Sequence, residues 1–168
     1  MAAVHEVRRL PWSAEQMFDL VADVGRYAEF LPWVVATRVR SDSETEMVAD
    51  MLVGFSALRE KFTSRVEKHR PATALSGGAE GGEPELGEIK VHYVDGPMRD
   101  LDNRWLFRPL GPDACEIEFT VEFSFRNALF QKLANQYLDK AFRKMVAAFE
   151  QRAAQVYGSS SSSAQSVA

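Results

Sequence analysis

Between Val34 and Phe125 the apolar side chains recur at every second position, the spacing that sends successive side chains to opposite faces of a β-strand. The clearest run is the last. Cys115, Ile117, Phe119, Val121, Phe123 and Phe125 alternate with Glu116, Glu118, Thr120, Glu122 and Ser124, predicting a strand with one dry and one wet face in an antiparallel sheet. Met47, Ala49, Met51, Val53 and Phe55 share a face opposite Asp50. Leu58, Phe62 and Val66 oppose Arg59, Lys61, Arg65 and Glu67, while Ile89, Val91 and Tyr93, then Leu101, Trp105 and Phe107, mark two further strands. If the loop from Pro109 to Asp113 closes a hairpin that pairs Arg108 with Ala114, Arg104 falls opposite Glu118 and Trp105 opposite Ile117.

After Phe125 the period changes. Phe130, Leu133, Ala134, Tyr137, Leu138, Ala141, Phe142, Met145, Val146, Phe149 and Val156 follow one another mostly at spacings of three and four, predicting one helix from about Asn127 to Tyr157 with a broad apolar face. At 1.5 Å per residue it is ~45 Å long, and Gly158 stops it. At the other end of the chain, Ala3 to Leu10 reads as a strand. Ser13 and Gln16 form a capping box for a helix whose apolar side is Met17, Phe18, Leu20 and Val21. Gly25 ends that helix, and a short helical piece from Gly25 to Trp33 is stopped by Pro32. A sheet and a long helix, each with one apolar face, bury both faces when the helix lies across the sheet.

Two segments have no such pattern. Residues 71–88 hold five of the ten glycines and two prolines and read as a flexible hairpin insert; residues 158–168 are small and polar and read as a disordered tail. The glycines of the insert precede neither a Lys-Ser/Thr pair nor a helix start, so they do not form a phosphate loop.

The 168 residues suffice for one sizeable core. No stretch reaches the roughly 18 consecutive apolar residues that span a bilayer, and the first residues lack the apolar core of a secretory signal, so cytoplasmic placement is expected. The single cysteine, Cys115, excludes an intramolecular disulfide. A net charge of -4 excludes a uniformly basic nucleic-acid binder, and no DNA partner is expected. That average conceals an asymmetry: Arg126 to Tyr157 has six basic and two acidic residues, +4, which leaves -8 elsewhere. Lys132, Lys140, Arg143 and Lys144 form a basic stripe along the helix, able to meet anionic lipid or RNA if it is more than a solvated helix back.

No catalytic set emerges. Glu116, Glu118 and Glu122 alternate on the wet face, Cys115 points into the core, and His5, His69 and His92 stand at no metal-ligand spacing. Neither catalytic nor metal-binding residues are expected. Glu60 and Asn103 fall on apolar faces, where they either orient a polar ligand head group or pair with each other or with backbone. Eleven phenylalanines outnumber the ten glycines, and six of them, Phe119, Phe123, Phe125, Phe130, Phe142 and Phe149, lie on the last strand and the helix after it. Such a stock, with Met17, Met47, Met51, Met98 and Met145, packs a core or lines a pocket for an apolar ligand.

Tyr27-Ala28-Glu29-Phe30-Leu31-Pro32-Trp33 resembles the Y-P-E-F-L-P-W stretch of the coenzyme Q-binding START-domain family, with Ala28 in place of proline. That family overlaps in sequence with ribosome-association toxins inside the polyketide cyclase-like, helix-grip superfamily. Phe55, the strand with Glu60 and Phe62, Asp95-Gly96-Pro97-Met98, Leu101, Trp105, Phe107 and the run from Cys115 to Phe125 extend the resemblance over Val4 to Arg152. It implies an α+β helix-grip (START/Bet v 1-like) fold, β-α-α-β6-α, with a seven-stranded antiparallel sheet wrapped around the C-terminal helix in one START-like domain over residues 1–157. It also implies a hydrophobic tunnel that holds ubiquinone or a related polyprenyl lipid, with no covalent cofactor and no turnover, in a carrier or chaperone that supports respiration and meets the inner membrane peripherally. The implied wall is Phe30, Leu31, Pro32, Val53, Phe55, Phe62, Tyr93, Met98, Trp105, Phe107, Phe123, Tyr137, Ala141 and Met145, with Glu60 and Asn103 as the polar candidates. A ribosome-binding protein of the toxin type is the alternative, and a cyclase or dehydratase-like enzyme the third.

Overall fold

The computed structural model describes residues 2–55, 58–72 and 85–158. Strand β1 (Ala2–Leu10) leads into helix α1 (Ala14–Ala22) and a 3-10 turn (Val24–Glu29). Five strands follow, β2 (Val34–Asp42), β3 (Glu46–Phe55), β4 (Leu58–His69), β5 (Gly87–Asp95) and β6 (Met98–Pro109), then β7 (Cys115–Phe125) and helix α2 (Ala128–Tyr157). The seven strands form one antiparallel sheet in the order β1-β7-β6-β5-β4-β3-β2. Consecutive strands from β2 to β7 are neighbours, and β1 closes the far edge against β7.

The inward faces read from alternation hold. Met47, Ala49, Val66, Ile89, Trp105, Phe107, Cys115, Ile117 and Phe119 are all buried in the core with α1 and the end of α2. The hairpin register differs from the expected one by two residues: Arg108 pairs with Glu116, Trp105 with Phe119 and Arg104 with Thr120. A slip of two keeps every side chain on its face. The turn falls one residue later than expected: Pro109 continues β6 and pairs with Cys115, β7 starts there rather than at Ala114, and Leu110 N donates to Ala114 O at 3.0 Å inside the turn. Arg104 is instead paired with Glu88 of β5, and Arg108 reaches Glu118 at 2.8 Å.

The capping box of α1 is formed: Gln16 N donates to Ser13 Oγ and Ser13 N to Gln16 Oε1, both at 3.0 Å. Helix α1 ends one turn before Gly25, at Ala22 with Asp23 as its C-cap, and Gly25 lies inside the 3-10 turn. Helix α2 begins at an Asn127 cap, whose Oδ1 accepts from Leu129 N at 2.8 Å, and ends at Gly158, whose φ of 79° only glycine adopts readily. Gly158 is held rather than loose: Trp12 Nε1 donates to its carbonyl at 2.8 Å, and Tyr157 Oη donates to Gln16 O at 2.8 Å. These two bonds tie the end of α2 to the start of α1. Of the expected insert, residues 73–84 lie outside the described residues, as do tail residues 159–168. Its flanks are paired, Ala72 bridging Glu85 and Gly87 opening β5.

Candidate functional site

Helix α2 touches the sheet unevenly along its length. Near its C-terminus Phe149 and Ala153 are buried. The Phe149 ring stands edge-on to Trp105, Phe30 and Tyr27 at centroid distances of 5.4, 5.2 and 5.7 Å. Toward its N-terminus the apolar side chains Phe130, Leu133, Leu138 and Ala141 are only partly covered. Between this half of α2 and the inner face of the sheet lies a cavity of about 370 Å³, within the usual range of about 300–1,000 Å³ for small-molecule sites. Phe62, Val66, Val91, Leu101, Phe119, Val121, Phe123 and Phe125 line it from the sheet. Tyr27, Leu31 and Trp33 close one side, and Phe130, Leu133, Tyr137, Phe142 and Met145 form its helical wall.

Few polar groups interrupt this lining, chiefly Glu60, Ser64 and Asn103. Asn103 is committed to the protein: its Nδ2 donates to Thr120 O at 2.9 Å and its Oδ1 accepts from Trp105 Nε1 at 3.3 Å. Glu60, in contrast, makes no hydrogen bond or ion pair to any described residue. The two do not pair with each other. Tyr27 donates its hydroxyl to Val21 O, and burial pushes its pKa well above the ordinary tyrosine value, with Asp23 adding to the rise. It is a neutral donor already spent on backbone.

Of the expected wall, Leu31, Val53, Glu60, Phe62, Met98, Asn103, Trp105, Phe123, Tyr137, Ala141 and Met145 line the cavity. Four do not. Phe107 is fully buried on the far side of Trp105, edge-on to Phe18 of α1 at 5.6 Å, so it belongs to the core under α1. Phe30 packs on Phe149 and lies beneath the Arg152 guanidinium, 5.1 Å from its ring centroid. Pro32 is exposed. Tyr93 is used as a clasp, its hydroxyl accepting from Met98 N at 3.0 Å across the β5–β6 turn. The Phe55 side chain lies outside the described residues. Trp33, Val121, Phe125, Phe130 and Leu133 join the wall without having been singled out for it, although alternation or helical spacing had placed all but Trp33 on the correct face.

On the opposite surface of α2, Lys132, Lys140, Arg143 and Lys144 are exposed and form no ion pair with any described residue. Arg152, further along the helix, is instead paired, donating to Glu29 at 2.6 Å. Cys115 is buried, and burial, with Glu15 nearby, pushes its thiol up to about 12, the state of an inert core cysteine. His92 lies on the wet face, 3.0 Å from Glu67.

Residues 10–150 match the family described as polyketide cyclase / dehydrase and lipid transport. The ribosome association toxin RatA of Pseudomonas aeruginosa is 36% identical over 89% of this chain and 93% of its own. The mitochondrial coenzyme Q-binding protein COQ10 homolog B of Xenopus laevis is 31% identical over 91% of this chain and 58% of its own. A START superfamily protein from Mycobacterium smegmatis superposes with a TM-score of 0.68 over 92% of this chain and 98% of its own, at 16% identity, which speaks to the fold alone.

Proposed function

The chain belongs to the polyketide cyclase / dehydrase and lipid transport family, and within it we propose a non-catalytic binder of ubiquinone or a related polyprenyl lipid, held between the sheet and α2. The protein acts as a carrier or chaperone for that lipid, resident in the cytoplasm and visiting the inner membrane peripherally. The family's description covers cyclases as well as lipid transport, so membership alone does not choose between them. The observation that carries the reading is the cavity of about 370 Å³ with an almost wholly apolar lining. Such a wall rewards apolar area and offers little to stabilise a developing charge. The likeness to a coenzyme Q-binding protein over 91% of this chain points to the same ligand class, and no described helix is long and apolar enough to cross a membrane.

Organic extraction of the purified protein is expected to release a polyprenyl quinone. Added ubiquinone is expected to quench the cavity tryptophans Trp33 and Trp105 and to raise the melting temperature, because a ligand that binds only the folded state stabilises it. No released lipid, no quenching and no thermal shift would overturn the reading.

A second reading, attachment to the large ribosomal subunit, is favoured by one feature. Lys132, Lys140, Arg143 and Lys144 are exposed without acidic partners among the described residues, on a chain 36% identical to a ribosome association toxin. Contacts of this kind to RNA phosphates weaken with salt. Salt-sensitive co-sedimentation with large subunits, lost when the four residues become alanine, would support it.

A further inference from the structure

The polar lining of the cavity has one carboxylate, Glu60, and this bears on which form of a ring-bearing lipid it holds. The Glu60 carboxylate on β4 lines the cavity and accepts hydrogen bonds, but no described residue supplies one. Asn103 retains one uncommitted Nδ2 hydrogen after bonding Thr120 O at 2.9 Å, and its Oδ1 is engaged by Trp105. The cavity thus presents a carboxylate acceptor with no partner among the described residues, together with a donor.

A quinone ring has only acceptor oxygens. It can take the Asn103 hydrogen, but it displaces water from Glu60 without returning a hydrogen bond, and an unpaired, desolvated carboxylate is costly. A hydroquinone or phenol hydroxyl both donates and accepts. It can give Glu60 a charge-assisted bond, stronger than a neutral one, while its oxygens remain available to donors. Sites with a hydrogen-bonding partner for a ligand hydroxyl discriminate sharply against the analogue that lacks it.

We infer that Glu60 makes this cavity selective for the reduced, hydroxyl-bearing form of an isoprenoid ring lipid over its oxidised quinone. The inference rests on the lipid-binding reading and adds to it a redox preference set by one side chain. The protein then withdraws quinol from the membrane in preference to quinone, and no electron passes through it.

The test is an anaerobic titration of the full chain with decylubiquinone and with decylubiquinol, followed by tryptophan fluorescence, for wild type and Glu60→Gln. In wild type the quinol is expected to bind about tenfold or more tighter than the quinone. Glu60→Gln should reduce that ratio to about threefold or less by weakening the quinol, with quinone affinity held or raised. Equal wild-type affinities, or a preference untouched by Glu60→Gln, would overturn the inference and leave the lipid-binding reading standing. Failure of both forms to bind wild type would overturn both. Should Glu60→Gln not fold, Glu60→Ala takes its place and is held to the same outcomes.

Discussion

The Phe149 ring of α2 stands edge-on to the Trp105 indole of β6, with 5.4 Å between centroids and 69° between planes. The contact sits where the cavity ends and the core begins, since both residues line the cavity while Phe149 is only 5% exposed. It seats the C-terminal half of α2 on the sheet and leaves the other half free to stand off.

Phe149→Ala removes the ring that Trp105, Phe30 and Tyr27 share. A loss of about 3–5 kcal/mol is expected for a buried phenylalanine cut back to alanine, read as a lower midpoint in chemical denaturation. If α2 were held mainly by its N-terminal half, the loss would stay below about 1 kcal/mol.

Ala141→Phe acts in the opposite direction. Ala141 lines the cavity from α2, so a phenyl group there occupies ligand space while adding apolar contact. Lipid release on extraction is expected to disappear, with thermal stability unchanged or higher. A variant that retains lipid at the wild-type level would place the ligand elsewhere.

Asp50 governs part of the acid response. It lies on the wet face but is only 4% exposed, because Arg40 and Thr63 lie over it; Thr63 Oγ1 donates to Oδ1 at 2.5 Å and Arg40 Nε to Oδ2 at 2.8 Å. Its pKa is lowered, chiefly by the Thr63 bond and, against the cost of burial, also by Arg40. A depressed folded-state pKa contributes stability above the unfolded value of about 3.9, and that contribution is lost as pH falls through the folded value. Asp50→Asn should therefore melt lower than wild type at pH 7 and converge with it as pH drops below about 3.9. A constant difference in melting temperature from pH 7 to pH 2 would contradict this assignment.

Cys115, with its thiol at about 12, is ionised to only about one part in ten thousand at pH 8, and the thiolate is the nucleophile. The folded protein is expected to resist a disulfide reagent for hours and to react with one thiol per chain in guanidinium. Rapid modification of the folded chain would show that the core opens at this strand.

Alternation along a strand and three-four spacing along a helix are local periodicities, so the inward faces of β3 to β7, the apolar side of α2 and the caps at Ser13 and Gly158 were all legible in the chain. The edge strand β2 was not individually legible. It pairs only with β3 and carries two register shifts; of its side chains Val34 alone is buried, while Val35 and Val39 are exposed, so no clean alternation records it. Register was also out of reach, because a slip of two residues preserves every face and the choice lay with where the turn falls, after Pro109 rather than after Arg108.

The division between core and cavity depended on still longer-range placement. Asn103, Trp105 and Phe107 follow one another on the same face of β6 with identical alternation, yet Phe107 is sealed by Phe18 of α1 while Trp105 and Asn103 look into open volume. Inward direction is a property of the strand. What an inward side chain meets is set by where α1 and the Phe149 end of α2 come to rest, pinned by the Trp12 and Tyr157 bonds across more than 140 residues of chain. Those contacts join segments distant in sequence, and no local pattern encodes the gap they leave beneath the first half of α2.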